Sequence, residues 1–75
     1  MLFHERLKEL RLASALMQKD IAKMIGVSVR TFQYYEQGKT EPNIENLKLL
    51  ADIFRISLDN LVGRDFPQPS LRDSK

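Results

Sequence analysis

Gln18-Lys-Asp-Ile-Ala-Lys-Met-Ile-Gly-Val-Ser-Val-Arg-Thr-Phe-Gln-Tyr-Tyr-Glu-Gln-Gly38 reads as two short helices separated by a tight turn. Ile21, Ala22 and Ile25 lie at helical spacing and form the apolar stripe of the first helix, Gln18 to Ile25. Gly26 suits its end, because a left-handed backbone costs glycine nothing. Ser28 is a good N-cap for the second helix, which runs to Gln37 and stops at Gly38.

Outward from this stretch the same period continues. Phe3, Leu7 and Leu10 predict a helix over Phe3 to Ala13, and Ser14-Ala15-Leu16 a short turn. After the polar loop Lys39-Thr-Glu-Pro42, Asn43 caps a helix with Ile44, Leu47, Leu50, Ala51 and Phe54 in register. Ser57 caps a last short helix, Leu58 to Val62, stopped by Gly63. Five helices with short connections imply an all-α fold for residues 1–63. From Arg64 on, two prolines and alternating charges leave Phe66 and Leu71 as the large apolar residues. Residues 64–75 are expected to be a disordered tail.

Seventy-five residues make one small domain, and with no cysteine its stability rests on packing. No apolar run nears the roughly 20 residues of a membrane span, and no signal-peptide pattern opens the chain. A cytoplasmic location is the expectation. The net charge is +2, but its distribution is uneven. Residues 1–39 hold seven Lys/Arg and four Asp/Glu, a balance of +3; residues 40–75 hold five and six, a balance of −1. The basic excess lies in the half with the two-helix stretch.

At roughly 100° per residue, Thr31, Phe32, Tyr35 and Glu36 fall on one side of the third helix. With two aromatics, that side is expected to pack inward. Val29, Arg30, Gln33, Tyr34 and Gln37 fall on the other side. Arginine matches guanine O6 and N7, glutamine matches adenine N6 and N7, and valine meets a thymine methyl. A plain solvated face has a similar composition; what favours nucleic acid is the turn in front of it. Helix, Gly-containing turn and second helix form a helix-turn-helix, whose second helix enters the DNA major groove.

In order along the chain stand Leu7-x-x-Leu10-Arg11, Leu16-Met17-Gln18, Ile21-Ala22, Ile25-Gly26-Val27-Ser28, Tyr35-Glu36-x-Gly38-Lys39, Pro42 and Ile56-Ser57-Leu58-Asp59-x-Leu61. This set resembles the Cro/cI-type (XRE-like) helix-turn-helix family of phage and bacterial repressors, over residues 3–63. The resemblance implies a compact five-helix, lambda-repressor-like DNA-binding domain. It implies phosphate contacts from Arg11, Gln18, Ser28 and Lys39, and base reading by Val29, Arg30, Gln33 and Tyr34. It also implies a structural ion pair between Arg11 and Glu36, which a buried carboxylate would require.

Departures from the family pattern carry expectations of their own. Met17 stands where a small polar N-cap is usual, a loss of ~0.5–2 kcal/mol that Asp20 is expected to offset in part through the helix dipole. Ala15 replaces a common glycine, which leaves the first turn's shape open.

His4, the single histidine, is expected to face solvent, and no cluster has metal-ligand spacing. No nucleophile–base arrangement or phosphate loop suggests an enzyme. No cofactor is expected. The functional expectation is a transcriptional regulator, a small repressor binding a palindromic double-stranded operator as a homodimer. The resemblance implies helix 5 and the tail as the available surfaces for dimerisation, where an exposed Leu58, Leu61 or Phe66 patch would serve. Two alternatives stay open: an antitoxin that represses its own operon and holds a protein partner through the tail, and an interaction module that has lost DNA binding.

Overall fold

The structure, a computed structural model, describes residues 2–62. It has five helices: α1 (Phe3–Ala13), α2 (Gln18–Ile25), α3 (Val29–Gln37), α4 (Ile44–Phe54) and α5 (Leu58–Val62). The reading of residues 64–75 as a tail, with Phe66 as a docking residue, lies outside the described residues.

Each helix delivers one wholly buried large side chain to a shared centre: Leu7, Ile21, Phe32, Leu50 and Leu61. Burying a leucine, isoleucine or phenylalanine contributes about 1.5–3 kcal/mol, so no helix is dispensable. Phe3, Ala22, Ile25, Tyr35, Leu47, Ala51 and Val62 complete the core. Helices α2 and α3 pack closely, α1 crosses α3, and α5 joins α4 and returns to α1. α3 is thus held from behind while its other side stays open.

Local chemistry sets the helix boundaries. The side chains of Ser28, Asn43 and Ser57 accept hydrogen bonds from the backbone N–H groups of Thr31, Asn46 and Asn60, at 3.0, 2.8 and 3.0 Å. Met17 gives α2 no side-chain cap, but its own N–H donates to Asp20 Oδ2 at 3.0 Å. Asp20 thus acts by a direct bond, half of a capping box, besides its dipole effect.

Four helix ends close with a left-handed residue and a bond from the next N–H back to a carbonyl five positions earlier. Those residues are Gly26 (φ 76), Gly38 (φ 77), Ala15 (φ 58) and Arg55 (φ 59). The closing bonds are Val27 N–H to Ala22 O and Lys39 N–H to Tyr34 O, both 3.0 Å, with Leu16 N–H to Arg11 O at 3.3 Å and Ile56 N–H to Ala51 O at 3.0 Å.

Three expectations need correction. Ile44 is 55% exposed. It opens α4, and a helical side chain leans toward the N-terminus, so this one overhangs the helix end. Leu61 is wholly buried and Leu58 half-buried, so this pair offers no exposed dimer patch. Leu58, Leu61 and Val62 share one face of α5, and packing against both α4 and α1 turns that face inward. His4 is half-buried, with its ring laid over Gly38: a Cβ at Gly38 would meet His4 Nδ1 at 2.9 Å.

Candidate nucleic-acid interface

α3 divides along its length. Phe32, Tyr35 and Glu36 are buried, and the two rings meet edge to face with centroids 6.3 Å apart. The Tyr35 hydroxyl accepts from Asn46 Nδ2 at 3.4 Å, which ties α3 to α4. On the other side Val29, Arg30 and Gln37 are exposed, and Gln33 and Tyr34 half-buried. Arg30 makes no side-chain hydrogen bond or ion pair among the described residues, so its guanidinium is available to a ligand.

Behind this face runs a polar chain that joins three helices. Arg11 Nε donates to Glu36 Oε2 at 2.6 Å, and Arg11 Nη2 to Glu36 Oε1 at 3.4 Å. Arg11 Nη1 donates to the Leu16 carbonyl at 3.1 Å, securing the turn before α2. Gln18 Nε2 donates to Glu36 Oε1 at 2.9 Å, and Gln33 Nε2 donates to Gln18 Oε1 at 3.2 Å. The Arg11 and Glu36 side chains are only 11% and 4% exposed. Removing one partner of such a pair costs about 3–5 kcal/mol, because the other charge is left buried alone. No buried side-chain nitrogen or oxygen among the described residues lacks a partner.

The structure therefore brings Arg11, Gln18, Gln33 and Glu36 into one network. Lys39 lies apart from it, its Nζ 5.2 Å from the Tyr34 ring centroid, a cation–π contact that joins the α3–α4 loop to the open face. Ser28 is committed locally: besides capping α3, its hydroxyl donates to Thr31 Oγ1 at 3.0 Å. Val29 and Arg30 occupy the first turn of α3, where the helix is accessible.

Sequence reasoning missed the bonds of Gln18 to Glu36 and Gln33. One signal for them exists: a buried carboxylate accepts several hydrogen bonds, and a single arginine leaves capacity unused. Glutamine at the adjoining helix start is a natural donor.

Two helices joined by Gly26-Val27-Ser28, the second with a braced inner side and an open polar side, constitute a helix-turn-helix unit. A family profile described as "Helix-turn-helix" matches residues 7–61. The chain belongs to that family, as a helix-turn-helix domain of the Cro/cI-like (XRE) type.

Among its relatives is the cryptic phage CTXphi transcriptional repressor RstR of Vibrio cholerae, 42% identical over 60 residues that cover 80% of this chain and 54% of that protein. The chain spans about half the length of the curated relatives it matches. The fold matches a transcriptional regulator from Listeria innocua with TM-score 0.80 and 38% identity, over 96% of this chain and 70% of that one. It matches the P22 c2 repressor protein in complex with synthetic operator 9T with TM-score 0.78 and 35% identity, over 84% of this chain and 96% of that one. The five-helix all-α arrangement is the lambda-repressor-like fold.

Proposed function

We propose that this protein is a transcriptional regulator, a small repressor, that binds double-stranded DNA sequence-specifically with α3 in the major groove. The open face of α3 carries the reading: an Arg30 without a partner among the described residues, with Val29, Gln33 and Tyr34, on a helix braced from behind by the Arg11–Glu36 pair. The operator-bound repressor among its structural relatives supports it.

Val29, Arg30, Gln33 and Tyr34 contact bases in this reading; Gln18 and Lys39 hold phosphates, and Ser28 joins them by turning its hydroxyl proton from Thr31 Oγ1 to the phosphate. Arg11 has five N–H groups. Three serve Glu36 and Leu16, and the remaining two are left for the backbone. The protein acts by binding, without catalysis or cofactor, in the cytoplasm where the operator is. One domain reads a half-site, so the working form is a homodimer on a palindrome with half-site centres about 34 Å apart.

Selection from a random duplex library tests this reading. The expected winner is a palindrome, bound with a log–log salt slope near −0.9 per phosphate contact. Arg30→Ala should weaken binding to it by about 1–3 kcal/mol and spare random DNA. Recovery of no motif, with salt-indifferent binding, would favour an interaction module instead.

A further inference from the structure

We infer that Glu36, acting through Gln18, sets the orientation of the Gln33 amide and with it the base that Gln33 accepts. The inference rests on the DNA-reading role proposed above and assigns positioning roles to two residues that need not touch the base.

The argument is one of donors and acceptors. A carboxylate has no proton to give, so every group facing Glu36 must donate. Arg11 and Gln18 do so. Turning the Gln18 amide around would set two oxygens against each other at 2.9 Å. Gln18 therefore points its nitrogen at Glu36 and its oxygen at Gln33, whose own nitrogen answers at 3.2 Å.

Gln33 is left with its oxygen as the free end. Gln33 Oε1 makes no hydrogen bond among the described residues, and it reaches solvent, since no buried side-chain oxygen lacks a partner. One Nε2 hydrogen is free beside it. Gln33 thus presents an acceptor next to a donor, in a fixed order.

In the major groove that order matches adenine, with N6–H₂ to give and N7 to accept. Cytosine N4–H₂ answers the oxygen alone. Guanine O6 and N7 and thymine O4 are acceptors and oppose it. An isolated glutamine reverses its amide to suit guanine; here reversal breaks the bond to Gln18.

The test uses the full chain and the duplex selected from a random library, with all four base pairs placed in turn at every position. The position whose preference disappears in Gln33→Ala is the one Gln33 reads. Wild-type protein is expected to favour adenine over guanine there by about tenfold or more. Gln18→Leu and Glu36→Gln should bring that ratio toward one while preserving the preference at the base pair read by Arg30. Gln18→Leu keeps the Arg11–Glu36 pair and so decides the matter if melting shows that Glu36→Gln does not fold.

An adenine preference that survives Gln18→Leu overturns the inference, as does a wild-type preference for guanine or a Gln33→Ala variant with unchanged preferences everywhere. Wild-type binding without preference at any position overturns the DNA-reading role itself. That outcome is distinct, since failure of the relay alone leaves the other positions selective.

Discussion

Gly26 and Gly38 close α2 and α3 with the same left-handed turn that Ala15 and Arg55 make at the ends of α1 and α4. For a residue with a Cβ that conformation costs about 1–2 kcal/mol. The two ends that frame α3 are therefore relaxed, and the two outside it are strained. The glycines differ from each other as well. A Cβ at Gly26 would meet nothing within 4 Å, whereas one at Gly38 would press on the His4 ring. The backbone requirement is shared; the demand for space is confined to Gly38. The same turn thus answers to different constraints at each place.

Gly38→Ala should give the largest effect, a loss of about 2–4 kcal/mol from backbone strain plus crowding. Denaturant unfolding measures it. In a His4→Ala background the loss should fall to that of Gly26; equal losses with and without His4 would mean that the ring yields freely. Gly26→Ala should cost about 1–2 kcal/mol, from the backbone alone. A cost equal to that of Gly38→Ala in the wild-type background would erase the distinction between the two glycines.

The smallest changes have the opposite sign. Ala15→Gly and Arg55→Gly should each stabilise the domain by about 0.5 kcal/mol, strain relief less the greater freedom of glycine in the unfolded chain. Thermal melting should register that as a rise of about 2–4 °C. A fall at either position would mean that its left-handed turn carries little strain.

Which features could be read ahead of the structure follows from the range of the forces involved. Gly26, Ser28, Gly38, Asn43 and Ser57 act within a turn of their own helix, so the boundaries they set were legible. Of the inward set Thr31, Phe32, Tyr35 and Glu36 that the helical period predicts, the last three are buried and Thr31 is half-buried. The burial of Leu61 was not legible, because five residues are too few for a period to show which side faces α1. The seating of His4 over Gly38 and the bond from Gln18 to Gln33 depend on how helices meet. Neutral amides leave no charge pattern that would announce such a meeting. At Ala15 the missing glycine was visible, but the positive φ that the chain adopts without it was not.

Arg6 ties the two ends of the domain together, donating from Nε to the Asn60 carbonyl at 3.1 Å and from Nη2 to Asn60 Oδ1 at 3.0 Å. The partners are 54 positions apart in sequence, so almost the whole domain forms the loop that this contact closes. Closing such a loop loses chain entropy long before the two hydrogen bonds repay it. During synthesis, α1 emerges first and has to wait for Asn60 before its last polar partner exists. A chain released before α5 would lack both that clasp and the Leu61 that fills the centre. Chains cut short of α5 are therefore expected to be more open to proteolysis than the whole domain, which makes the clasp a check on completeness.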